Sequence, residues 1–152
     1  MITGAFGAIG KAITHSLLAQ GVHAVLLDLA NAPEALSMEP SVTCIKVDLS
    51  DPCAIRTAAD EIKARFGTVD VLVNNAGILS NHKMDGTTLE EWHKVNAVNV
   101  DAAFLLSQSF LPRMRENRWG RIINVSSYAA KSGGLTAGTA YSVSKSAMIG
   151  LT

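Results

Sequence analysis

The stretch TGAFGAIG (residues 3–10) stands between a two-residue apolar stub, Met1-Ile2, and a helical pattern. Glycines at 4, 7 and 10 let the backbone turn sharply and approach a ligand closely. A helix starting behind them offers unpaired N–H groups and the positive end of its dipole, which suits a pyrophosphate. Glycine turns between strand and helix are common; what gives this one weight is its place at the first strand-to-helix turn. Ile9, Ile13 and Leu17 recur at i, i+4 and i+8, which predicts the apolar stripe of a helix that Gly21 ends.

Working outward, β-rich runs alternate with helical patterns. HAVLLDL (23–29) is a near-continuous apolar run, as a strand buried on both faces requires. VTCIKVDL (42–49) is the next strand. SDP (50–52) then opens a helix, with Ser50 or Asp51 as its cap and Pro52 in its first turn. Ile55, Ala58, Ile62 and Phe66 form its stripe and Gly67 stops it. VDVLVNNAG (69–77) is a further strand. A long helical stretch is expected over residues 88–117, interrupted at Pro112, with Trp92, Phe104 and Met114 as packing residues. RENRWGR (115–121) reads as a solvated turn and RIINVSS (121–127) as a strand. KSGGLTAGT (131–139) reads as a loop before a last helix, in which Ala147, Met148 and Leu151 pack. This order predicts parallel strands with right-handed crossovers, a doubly wound α/β sheet forming one domain or part of one.

The 152 residues are 48% hydrophobic with a net charge of +0. Enough apolar material is present for a core, and the basic excess expected of a nucleic-acid or anionic-membrane surface is absent. No apolar run approaches a membrane span, and Ile-Thr-Gly after Met1 does not read as a secretory leader, so a cytoplasmic protein is expected. Cys44 and Cys53 fit no CxxC pattern and read as reduced thiols. The four histidines have no ligand spacing, so no metal site is expected.

Asp28 ends the second strand. A carboxylate there accepts hydrogen bonds from both hydroxyls of an adenosine ribose and repels a 2′-phosphate. With no Arg or Lys in the glycine loop or in DLANAP (28–33), NAD is favoured over NADP. Asp48 ends the third strand, where it either meets an adenine edge or serves a turn. Tyr141 and Lys145 stand four apart, on one face of a helix. Hydride transfer at an alcohol carbon needs a matched proton transfer at the oxygen, and a neighbouring ammonium favours the phenolate of a tyrosine.

With NNAG (74–77) and YSVSK (141–145) added, the chain resembles the short-chain dehydrogenase/reductase family, and within it members such as 3-oxoacyl-carrier-protein reductases and related alcohol or polyol dehydrogenases. The resemblance covers essentially the whole chain, with the motifs in family order. It implies a Rossmann-type fold, a dinucleotide held by Gly4, Ala8, Ile9, Gly10, Asp28, Asp48, Leu49, Asn75, Ala76, Gly77, Tyr141 and Lys145, and a catalytic set of Asn99, Ser127, Tyr141 and Lys145. In that set Ser127 holds the substrate oxygen, Lys145 also holds the nicotinamide ribose, and Asn99 anchors a proton relay. The reaction implied interconverts a secondary alcohol and a ketone. Ser127 is fourteen residues before Tyr141, one more than the interval some members show; Ser126 is the alternative.

Against that family, the first strand is expected to be clipped and the sixth and seventh strands to be absent. Strands two and four are then expected to carry unpaired groups, and strand five a bare hydrophobic edge. The chain is therefore expected to be a fragment, inactive and unstable alone, of an enzyme that is a homodimer or homotetramer. A non-catalytic dinucleotide-binding protein and an inactive gene product are the other readings.

Overall fold

A computed structural model describes residues 1–133, 135 and 137–152. The strands are β1 (Ile2–Thr3), β2 (Ala24–Asp28), β3 (Val42–Lys46), β4 (Val71–Asn74) and β5 (Arg121–Asn124). All neighbouring strands run parallel, in the order β3-β2-β1-β4-β5, the doubly wound arrangement expected. The register pairs Ile2 with both Leu26 and Val73, so β1 is central although it has two residues. The chain therefore has a Rossmann-like sheet covered by helices on both faces.

Two apolar clusters lie on the two faces. On one, Leu27, Leu72, Leu106, Phe110 and Met114 join α3 (Pro52–Phe66) and α5 (Ala102–Glu116) to the sheet. On the other, Ile2, Leu26 and Val73 meet Ile13 and Leu17 of α1 (Ala8–Leu18). Residues 24–27 of β2 are all buried, which is why that run shows no alternation. The α3 start is as expected: the Asp51 side chain accepts from Cys53 N and Pro52 takes the first position.

Several expectations need correction. Ile9 is 58% exposed; α1 packs instead through buried Gly10 and Thr14, beside the half-buried Ile13. Phe104 is also exposed rather than packed. A single turn, α2 (Glu34–Ser37), fills the link after β2, and another, α6 (Ala129–Ser132), ends inside the stretch 131–139 that read as loop. Gly134 and Thr136 of that loop lie outside the described residues.

The long helical stretch is interrupted, but not at Pro112. After α4 (Leu89–Asn96) comes a π segment, Ala97–Asp101, in which Ala102 N reaches back to Ala97 O. Pro112 lies inside α5. Both it and Gln108 are exposed, so water can take the carbonyl that a proline leaves without its helical donor. The α5 helix ends in a turn in which Arg118 has φ +54 and Trp119 is half exposed.

At the start of the chain the Met1 ammonium donates to Val71 O (2.7 Å) and Met1 O accepts from Val73 N (2.9 Å). Below this point the gap between β2 and β4 is a cavity of about 310 Å³, lined by Leu17, Val22, Val25 and Val69 among others. At the other end of the sheet, β5 pairs with β4 alone, and Ile123 is half exposed.

Candidate active site

The site is assembled at the C-terminal ends of the strands, beginning with the glycine loop. Gly4 has φ +60, and a Cβ there would lie 2.8 Å from Ala76 Cα. A Cβ on Gly10 would overlap the Gly4 carbonyl and the Ala5 backbone. Those two glycines are therefore demanded by packing as well as by the turn. Gly7 is different: it is the N-cap of α1 in an extended conformation, and an added Cβ would make ordinary contact, 3.5 Å from Gly4 O.

No side chain caps α1. The N–H groups of its first turn, including those of Ala8 and Ile9, lack intrahelical partners and open on a groove of about 450 Å³. Gly4, Asp28, Asn75, Ala76 and Gly77 line the same groove. These features fit an anionic dinucleotide: backbone donors, a dipole end and a cradle that a Cβ would fill.

Asp28 sits where β2 meets this groove. Its Oδ2 accepts from Phe6 N (2.8 Å) and its Oδ1 from Ala30 N (3.0 Å). A carboxylate offers about four acceptor positions, so two bonds orient it and leave capacity for a diol. Asp48 Oδ1 accepts from both the Ser50 hydroxyl (2.7 Å) and Ser50 N (2.8 Å), and those bonds hold its carboxyl below its ordinary range. It is thus a turn residue, and it also lines a cavity of about 160 Å³ with Asp28, Leu49, Gly77 and Val98. Of the two readings of Asp48, the turn is the one seen in its hydrogen bonds.

Asn75, which lines the groove, also has a structural task. Its Nδ2 donates to Thr3 O (3.0 Å) and Gly4 O (3.1 Å), pinning the β4 loop to the glycine loop. Thr3 completes the pin, because its Oγ1 accepts from Asn75 N and Ala76 N (both 3.0 Å). Sequence reasoning passed over Thr3 as a site residue. The only signal was its place at the head of the glycine motif.

The proton-handling candidates lie on the far side of Gly77. Tyr141 and Lys145 belong to α7 (Thr139–Gly150), and Lys145 Nζ lies 5.9 Å from the Tyr141 ring centre. Lys145 is buried, and its Nζ donates to Val125 O (2.8 Å). Burial pushes its pKa down. A Cβ placed on Gly77 would lie 3.2 Å from that Nζ and 3.4 Å from Asn99 Oδ1, which shows how closely these three residues converge.

Asn99 lies in the π segment and is fully buried. Its Oδ1 accepts from Ile78 N (2.8 Å), while its Nδ2 donates to Ile78 O (3.1 Å) and Ser144 Oγ (2.9 Å). Ser126 and Ser127 divide their work. Ser126 Oγ donates to Lys145 O (2.6 Å) and so anchors α7. Ser127 Oγ accepts from Ala129 N (3.2 Å), which keeps its own proton available. Among the described residues no cluster of side chains could hold a metal ion.

Comparison with known proteins identifies the family of this fold. The model of the short chain dehydrogenases matches residues 1–152. The chain belongs to that family. It is 36% identical over 161 residues to the short chain dehydrogenase/reductase dpchG of Colletotrichum higginsianum, spanning 100% of this chain and 60% of that relative. It is 32% identical over 154 residues to the 3-oxoacyl-[acyl-carrier-protein] reductase FabG of Escherichia coli, spanning 99% of this chain and 62% of the reductase. Among solved structures it is similar to a short-chain dehydrogenase from Streptomyces avermitilis, with TM-score 0.88, 33% identity, and coverage of 99% of this chain and 56% of the other. It is also similar to a 4-hydroxyisoleucine dehydrogenase complexed with NADH, with TM-score 0.89, 31% identity, and coverage of 100% and 65%. The chain thus spans about 60% of the length of the curated relatives. Among the described residues no helix is long and apolar enough to cross a membrane.

Proposed function

We propose that the protein is an NAD-dependent oxidoreductase that interconverts a secondary alcohol and a ketone. The observation that carries this reading is the buried Lys145 ammonium. It lies on one face of α7 with Tyr141 and against Gly77, which lines the dinucleotide groove. A nicotinamide dinucleotide, when bound, supplies the hydride acceptor or donor. The glycine loop and the first turn of α1 hold its pyrophosphate, and Asp28 holds the adenosine ribose. Asp48 and Leu49 border the adenine, and Gly77 lets the far half pass close to Lys145.

The remaining work is proton transfer. Ser127 donates to the substrate oxygen and holds it near Tyr141, which takes the alcohol proton in oxidation and returns it in reduction. Lys145 stabilises the phenolate by its charge and holds ribose hydroxyls. Asn99 keeps the floor of this relay in place through the Ile78 peptide. NAD is preferred to NADP because a carboxylate at position 28 repels a 2′-phosphate and the glycine loop brings no cation to offset it. The whole protein acts on a small-molecule alcohol or ketone, in the cytoplasm, as a homodimer or homotetramer.

Replacing Tyr141 by Phe tests the reading. Dinucleotide affinity, followed by NADH fluorescence, is expected to stay within about twofold, while turnover falls at least 100-fold, the scale of one lost acid–base group. Turnover surviving in Y141F sinks the proposed mechanism.

A further inference from the structure

Ser144 is fully buried, and the proposed mechanism gives it no task. Serines inside helices often bond only to their own preceding turns. Ser142 does so: its Oγ donates to Gly138 O (2.9 Å). Ser144 also makes a local bond, from Oγ to Tyr141 O (2.7 Å), but it has a second partner 45 residues away, since it accepts from Asn99 Nδ2 at 2.9 Å.

The direction of each bond in this chain is forced. The Ile78 peptide can donate only through N and accept only through O, which fixes the Asn99 amide with Oδ1 toward Ile78 N and Nδ2 toward Ile78 O. The second Nδ2 proton then goes to Ser144 Oγ, and the Ser144 hydroxyl proton goes to Tyr141 O. Every donor in the buried path from Ile78 to Tyr141 is used. The path starts next to Gly77, in the dinucleotide groove, and ends on the residue that carries the proton.

We propose that Ser144 is a positioning residue that ties Tyr141, through Asn99, to the Ile78 peptide and so fixes the distance between the phenol and the dinucleotide groove. Its catalytic consequence rests on the role of Tyr141 given above; the tie itself does not. Removing the hydroxyl leaves one buried Asn99 N–H without an acceptor and frees the first turn of α7 to drift. A misplacement of an ångström or less is enough to cost about tenfold or more in rate.

The test compares S144A with S142A, which loses only a local helical bond. In ¹⁵N spectra, S144A is expected to raise solvent exchange of an Asn99 side-chain amide proton severalfold and, at pH 7, to move the ¹³Cζ resonance of Tyr141 but not that of Tyr128. S142A should move neither. With substrate, S144A is expected to lose about tenfold in kcat with NADH affinity kept within about twofold. S144C keeps the volume and a weak acceptor, and should show a smaller change of the same kind if S144A does not fold. Asn99 exchange and a Tyr141 resonance unchanged in the variants would overturn the proposal. A whole wild-type protein that turns over no secondary alcohol would overturn the proposed function instead, and the spectra would still decide the tie.

Discussion

Gly77→Ala is the most informative single substitution in this molecule. The added Cβ would sit 3.2 Å from Lys145 Nζ, 3.4 Å from Asn99 Oδ1 and 3.6 Å from Lys145 Cε. Comfortable contacts to carbon begin near ~3.5 Å, so the ammonium must retreat by a few tenths of an ångström. It cannot do so freely, because Nζ is bonded to Val125 O at 2.8 Å inside a buried pocket. Straining the side chain off its rotamer costs about 0.5–1.5 kcal/mol, and weakening a charged hydrogen bond adds about 1 kcal/mol. Gly77 has no positive φ, so alanine also stiffens the unfolded chain and returns about 0.4–1 kcal/mol. The net expectation is a loss of about 1 kcal/mol.

The diagnostic is a double-mutant cycle. In a K145A background the clash with Nζ and Cε is gone, so G77A should become neutral or slightly stabilising, with a coupling of about 1–2 kcal/mol in urea melts. In the Lys145 background kcat should fall about tenfold, since the displaced ammonium no longer faces Tyr141 correctly. Equal effects of G77A in both backgrounds would refute the placement of Lys145 against Gly77.

Other outcomes follow from the same geometry. Asp28→Ala should weaken NADH binding at least tenfold and narrow the gap between NADH and NADPH, as fluorescence titration with each would register; an unchanged ratio would remove Asp28 from cofactor choice. Lys145→Met should abolish turnover while shifting the pH dependence of stability. Burial lowers the pKa of Lys145 in the folded chain below its unfolded value of 10.5. The folded state therefore bears a cost for the charge below the folded pKa, and that cost is relieved as pH rises from the folded pKa toward 10.5. Urea melts should show wild type gaining on K145M across that alkaline window, and a parallel pH dependence of the two proteins would contradict the burial.

The alternating order of strand and helix was legible because each element leaves a local mark. β2 is a solid apolar run because both of its faces are covered. The α3 helix announces itself through Asp51, Pro52 and a stripe at helical spacing. Gly4 and Gly10 were legible as a close-approach loop. Gly7 looked equivalent, but nothing in the fold presses on it. The stripe through Ile9 misled because the first turn of α1 faces the groove, so an apolar residue there has no neighbour to bury it. The break at residues 97–101 left no mark at all. A π segment is one extra residue in a turn, and here it is held by Asn99 reaching Ile78, 21 positions away.

Taken alone, the sequence determined the parallel α/β arrangement, the glycine turn at its start, and the pairing of Tyr141 with Lys145 on one helix face. These depend on propensity and periodicity, which are properties of neighbours in the chain. Only the tertiary structure decided which polar groups face the groove and which hold it together. Asn75 and Thr3 are fastened to each other's backbone, Ser126 anchors α7, and Ser144 completes a path from Ile78 to Tyr141. A hydrogen bond across 19 to 72 residues has no spacing to betray it. Its partners are chosen when the strands and helices pack and every buried donor must find an acceptor.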